Sequence, residues 1–252
     1  MLSQTTAGNE IRITIKTNLL LLAILYFLGT SSFAASSPFD DASAAYERGD
    51  YVQALKLFRQ LAAQGHQWAQ RRLGSIYAEG KGVPQDYQEA VKWYRIAASR
   101  EDEWAQTRLG SMYAEGKGVP QDYQEAVKWY RLATTQGYAL AQYGLGVAYE
   151  KGQGVPQDYQ EAVKWYRLAA AQGNEFAQVN LGSMYTKGRG VRQDFVRAYV
   201  WFNLAATAPS GDSRDTATKK RDRVAAKMVA EQIGFAQEMA RRCQESKLKN
   251  CD

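Results

Sequence analysis

The amino-acid sequence predicts an all-α fold, an α/α superhelical solenoid of about five helix pairs with a helical cap at its carboxyl end. Three observations carry this expectation. Trp93, Trp129, Trp165 and Trp201 stand thirty-six residues apart, as do Leu73, Leu109, Leu145 and Leu181, and a fixed period of that size marks stacked supersecondary units. Each period holds two apolar patterns of helical spacing separated by a glycine-rich turn. Neither helix can cover its apolar face alone, so neighbouring units must stack to bury it.

Residues 1–34 are expected to be a signal peptide. Lys16 precedes an apolar run, Leu19 to Leu28, that is shorter than the ~20 residues needed to span a bilayer. Ser32-Phe33-Ala34 then offers the small-x-small pattern of a cleavage site. Cleavage after Ala34 would give an exported chain, periplasmic or secreted, with no stable membrane span. The formal net charge is +6, and losing Arg12, Lys16 and Glu10 lowers it by one. Such an excess suits acidic partners or anionic surfaces but is too thinly spread to argue for nucleic acid.

Residues 35–65 read as a degenerate leading pair. Its first helix is expected over Ala42 to Arg48 and its turn at Gly49-Asp50. Tyr51, Ala54, Leu55, Leu57, Phe58 and Leu61 then supply the apolar side of the second helix. Residues 66–209 hold four full repeats, beginning at His66, Asp102, Tyr138 and Asn174.

Within a repeat, Ala69, Leu73, Ile76, Tyr77 and Gly80 share one side of the first helix. Gly80 and Gly82 stop it, and Pro84 cannot continue it. Asp86 is a good N-cap for the second helix, with Glu89 three residues on in the D-x-x-E spacing of a capping box. In that second helix Tyr87, Ala90, Val91, Trp93, Tyr94, Ala97 and Ala98 form a wide apolar arc. The tryptophans, each worth on the order of 4–6 kcal/mol at most if fully buried, are therefore expected to be core.

Residues 210–252 read as the cap, helical from Arg214 to Glu245, with a break near Val229 left open. The basic run Lys219-Lys220-Arg221 with Arg223 reads as a solvated helix face. Cys243 and Cys251 are the two cysteines, and an exported chain would oxidise a close pair. On one unbroken helix they would lie ~12 Å apart, beyond disulfide reach, so a bridge requires the helix to end near residues 245–249.

The L-G-x-x-Y spacing at Leu73, Gly74 and Tyr77 is shared with tetratricopeptide repeats. The longer period, the G-x-G-V turn and the D-Y-x-x-A-x-x-W-Y-x-x-A-A second helix narrow the match, and from Asp40 to Pro209 the chain resembles the Sel-one-like repeat family. The resemblance implies a right-handed solenoid that serves as a scaffold for protein partners, and a helical carboxyl-terminal cap.

Catalytic signatures are sparse. His66 is the one histidine, and Asp102, Tyr138 and Asn174 occupy its place in the other repeats. No G-x-S-x-G motif accompanies it, and one histidine with two late cysteines does not make a metal-ligand spacing. The glycine-rich turns lack the strand before and the GK[ST] after that a phosphate loop needs. No catalytic residue, metal or cofactor is assigned. Among alternatives to a scaffold, an envelope hydrolase of the β-lactamase type and an accessory factor in cell-wall or exopolysaccharide assembly stand next.

In solenoids of the tetratricopeptide type the first helices line the concave face. Here position 68 and its equivalents read Trp68, Trp104, Leu140 and Phe176, a row of large apolar side chains beside Arg71 and Tyr143. These six are the candidate contacts for a protein or peptide partner, because aromatic residues and arginine dominate binding hot spots. Packing between repeats is the competing explanation of the row. Along it Glu79 and Glu115 give way to Lys151 and Lys187, and Arg72 and Arg108 to Gly144 and Asn180. Lys81, Lys117, Gln153 and Arg189 at the repeat turns are further candidates.

Overall fold

A computed structural model describes residues 37–207, 211–248 and 251. The expected signal peptide lies outside the described residues, as do Pro209 and Ser210 of the expected loop. Among the described residues the protein is all-α. The leading pair is α1 (Pro38–Glu47) and α2 (Tyr51–Ala63). Four pairs follow: α3 (Gln67–Glu79) with α4 (Tyr87–Ala98), α5 (Glu103–Glu115) with α6 (Tyr123–Thr134), α7 (Ala139–Lys151) with α8 (Tyr159–Ala171), and α9 (Glu175–Lys187) with α10 (Phe195–Ala206). The cap is α11 (Asp212–Ala225) and α12 (Ala230–Glu245).

Helix α1 starts four residues earlier than its apolar pattern indicates. Ser37 accepts from the Asp40 backbone N–H at 3.1 Å while the Asp40 carboxylate accepts from the Ser37 N–H at 3.2 Å, and Pro38 takes the first turn, where its missing N–H costs nothing. In the full repeats every first helix ends on a left-handed glycine, Gly80, Gly116, Gly152 or Gly188. Glu101 holds the same region (φ 64) at the joint where Gly65, Gly137 and Gly173 stand elsewhere.

The expected capping box forms only in half. Asp86, Asp122, Asp158 and Asp194 each accept from the backbone N–H three residues on. Their own N–H groups, however, donate to the carbonyls of Tyr77, Tyr113, Tyr149 and Tyr185 in the preceding helix. That leaves Glu89, Glu125 and Glu161 free to pair with Lys92, Lys128 and Lys164 instead.

From α1 to α11 each helix packs on its neighbours in sequence, as a solenoid requires. Successive first helices also touch, α5 with α7 and α7 with α9, whereas second helices make no comparable approach. The stack is therefore tighter on the first-helix side. In the close packing of each of the four full pairs an aromatic ring from the second helix lies over a glycine of the first. A Cβ built on Gly74 would stand 2.2 Å from the Tyr94 ring, and Gly110, Gly146 and Gly182 face Tyr130, Tyr166 and Phe202 in the same way.

The tryptophans correct the sequence reading. Trp201 is buried, 2% exposed, but Trp93, Trp129 and Trp165 are half-buried at the edge of the core, with their indole N–H groups shielded and unpaired. Tyr94, Tyr130 and Tyr166, one residue on, are the deeply buried rings. The helix hand decides this, because residues one apart point about 100° from each other and only one can face the partner glycine.

Glutamines outside the apolar pattern tie the repeats together. The buried Gln70, Gln106 and Gln178 donate to the last-turn carbonyls of Ala62, Ala98 and Ala170. At the joints Gln136 and Gln172 reach back one repeat to the carbonyls of Glu101 and Gly137.

The cap breaks at residues 226–229, where Val229 is extended and its N–H donates to the Gln232 side chain at 3.2 Å. Helix α11 packs on α9 and α10, standing where the first helix of another repeat would stand, and α12 packs on α10. Helix α12 ends at Glu245, and Lys247 and Leu248 turn the chain through left-handed conformations. Cys243 and Cys251 form a disulfide with a Cα–Cα distance of 4.8 Å, both buried.

Candidate functional site

The first helices place their position-68 side chains along one face, where the six candidate contacts fall into two clusters. At the amino-terminal end the Arg71 guanidinium lies 4.1 Å from the centroid of the Trp68 ring and 5.4 Å from that of Trp104. The Arg108 guanidinium also lies over Trp104, 4.8 Å from its centroid. Arg71 also pairs at 3.8 Å with Asp102, a buried N-cap whose carboxyl burial raises above its ordinary range. Farther along, Tyr143 lies 5.9 Å from Phe176 and 6.1 Å from Tyr166, centroid to centroid.

The row is neither wholly exposed nor wholly packed. Trp68 and Phe176 at its ends are 54% and 49% exposed. Trp104 and Leu140 in its middle are half-buried, the Trp104 ring meeting Tyr94 edge-on at 5.6 Å. Leu140 and Tyr143 share a pocket; Trp68, Arg71 and Phe176 flank the pockets without lining them.

Those pockets repeat with the fold. Between α3 and α5 an opening of about 270 Å³ is bounded by Glu79, Tyr94, Trp104, Arg108 and Lys117. One repeat on, between α5 and α7, an opening of about 340 Å³ is bounded by Glu115, Tyr130, Leu140, Gly144 and Gln153. Each of these five residues lies thirty-six positions beyond its counterpart. The Tyr94 and Tyr130 rings, held over Gly74 and Gly110, form the floors. Burial pushes the Tyr94 hydroxyl up to about 12, and Tyr130 also upward, so both stay protonated donors at neutral pH. Gly144 stands where α5 carries Arg108, and the missing side chain opens the second pocket above Tyr130.

In the following repeat Asn180 takes that position and donates at 3.1 Å to the Tyr166 hydroxyl, which in turn donates to Glu150 at 2.6 Å. A third opening recurs at the cap, floored by Phe202 and walled by α11. Sequence reading missed these floor rings, although tyrosine or phenylalanine at every thirty-sixth position opposite a helical glycine was the available signal.

The basic run in the cap is corrected in part. Arg221 reaches Asn203 and Asp222, but Lys220 is half-buried and donates to Ser183 Oγ at 2.9 Å. The recurring serines are structural: Ser75, Ser111 and Ser183 each donate to the carbonyl four residues back. His66 stacks on Phe39 at 4.9 Å. Among the turn candidates, Lys81 and Lys117 pair with Glu79 and Glu115, and Arg189 lies over Tyr159. Among the described residues no cluster of histidine, cysteine and carboxylate side chains could hold a metal, and no helix is long and apolar enough to cross a membrane.

A family model described as Sel1 repeat matches residues 43–66, 69–102, 105–138, 139–174 and 176–210. Among solved structures the protein is similar to a protective antigen of uropathogenic Escherichia coli strains described as displaying an SLR fold. That similarity has 34% identity and a TM-score of 0.72, over 79% of this chain and 42% of the antigen's. This chain thus spans less than half the length of that relative. It is also similar to a Sel1 repeat protein from Oxalobacter formigenes, with 28% identity and a TM-score of 0.66, over 81% of this chain and 99% of the other. No curated protein matches the chain significantly.

Proposed function

Since the chain belongs to the Sel1-repeat family, we propose that it is an exported, non-catalytic scaffold that binds an extended protein segment in the groove of its first helices. The observation that carries this reading is the repetition of aromatic-floored pockets one repeat apart. Helices in contact lie about 10 Å apart, and an extended chain rises about 3.3 Å per residue. A bound strand would then meet equivalent positions roughly every three residues. Half-exposed Trp68 and Phe176 mark the two ends of that path.

Replacing Trp104 by alanine is the direct test. It is expected to weaken binding of the native partner by about 2 kcal/mol, as for a hot-spot aromatic, with a smaller loss of thermal stability because the ring is only half-buried. Titration calorimetry with a partner captured by crosslinking from position 104 reads the first effect, and a melting curve reads the second. Unchanged affinity with a large fall in melting temperature would make the row a packing device. Export rests on the residues before Ala35, and mass spectrometry of the native protein is expected to find Ala35 at its amino terminus. An intact Met1 on a membrane-bound product would remove export from the proposal.

A further inference from the structure

The groove changes character at its carboxyl-terminal end. Its last opening, about 140 Å³, is formed where α11 packs against α9 and α10 and is bordered by Ser183, Lys187, Phe202, Lys220, Arg223 and Lys227. Four cations face it, and no carboxylate lines it. The equivalents of Lys187 in the first two full repeats are Glu79 and Glu115, each paired with a lysine. Lys187, Lys220, Arg223 and Lys227 form no ion pair among the described residues. Lys220 is half-buried, its ammonium donating to Ser183 Oγ and lying 5.8 Å from the centroid of the Phe202 ring. Burial lowers its pKa, and Lys187 and Arg223 add to that. Glu150, a carboxylate acting on it, is already engaged by the Tyr166 hydroxyl.

Like charges gathered around a partly desolvated lysine repel one another, and Glu150, outside the lining of the opening, offsets that repulsion only in part, since the net shift at Lys220 is still downward. An anion placed among them would be held by charge-assisted hydrogen bonds, with the Arg223 fork able to meet two oxygens at once. The apolar half of the opening, Phe202 and Val224, suits the methylene groups of a side chain. It is also the next opening of the groove's own series, so a polypeptide lying in the groove can reach it.

We propose that this pocket binds a carboxylate side chain of an acidic polypeptide segment. It deepens the scaffold reading above by giving the bound segment a polarity, with its acidic portion at the cap end.

The probe is fluorescein-labelled hexaglutamate with an amidated carboxyl terminus, followed by anisotropy at low ionic strength, where exposed charges are least screened. Because it carries no aromatic anchor, it tests the pocket separately from the Trp104 experiment; either can fail while the other holds. Wild-type protein is expected to bind it and not hexaglutamine. Lys220→Gln and Arg223→Gln are expected to weaken binding at least about tenfold, or 1.4 kcal/mol. Lys164→Gln, which removes the same charge from the outer face of α8, is expected to leave it unchanged. Neither pocket variant should lower the melting temperature, since each relieves repulsion, so loss of binding will not reflect unfolding. Equal weakening by Lys164→Gln, equal binding of hexaglutamine, or full displacement by equimolar inorganic phosphate would each overturn the assignment.

Discussion

Trp201→Ala is expected to lower the unfolding free energy by about 3–5 kcal/mol, as for emptying a large core site. Trp129→Ala is expected to lower it by about 2 kcal/mol, since part of that ring already meets solvent. The sequence gives the two tryptophans the same place in the repeat, so the difference tests the tertiary arrangement. Trp201 sits in the cluster shared by α9, α10 and the cap, and Leu248 and the disulfide-held Cys251 border the same surface. The tail thus seals a position that is open in the inner repeats. Urea unfolding of both variants with linear extrapolation measures the two losses. Equal losses would mean that the cap does not seal Trp201. Because contacts in a solenoid are local, hydrogen exchange should show the Trp201 loss concentrated in α9 to α12.

Gly154→Ala is expected to destabilise by about 3–4 kcal/mol, while Gly152→Ala in the same turn costs about 1–2 kcal/mol. Both glycines hold left-handed backbone, at φ 76 and φ 68, so both substitutions carry the penalty of placing a Cβ there. Space separates them. A Cβ on Gly152 would meet Gln157 at 3.3 Å or more, close to ordinary contact. On Gly154 it would lie 2.1 Å from the carbonyl oxygen of Tyr123, in the first turn of the preceding second helix. That neighbour is backbone and cannot swing aside, so two repeats would have to separate. Thermal and urea denaturation of the pair would show the difference, and equal effects would mean that the turn can move away from α6 at little cost.

Much of this protein was determined by sequence alone. The thirty-six-residue period, the two apolar patterns per period and the glycine–proline turns define helix pairs that must stack, because each is too short and too one-sided to be stable singly. The row Trp68, Trp104, Leu140 and Phe176 with Arg71 and Tyr143 was legible for the same reason: it repeats, and it lies opposite the leucine side of the first helix. Periodicity reports which face a residue is on, but not what meets that face. Only the tertiary structure decided that Tyr94 and its equivalents, rather than Trp93 and its equivalents, fill the space over the helical glycines. Only it showed that the N-cap aspartates Asp86, Asp122, Asp158 and Asp194 satisfy their own N–H groups from the preceding helix, or that Gly154 rather than Gly152 touches the neighbouring repeat. Lys220 is the sharpest case, since its sequence neighbours Lys219 and Arg221 make it look solvated. Its half-burial against Ser183 and Phe202 arises because α11 occupies the place of an absent repeat, thirty-seven residues along the chain from Ser183. Contacts across that separation are set by how the last pair is closed, which no local pattern encodes.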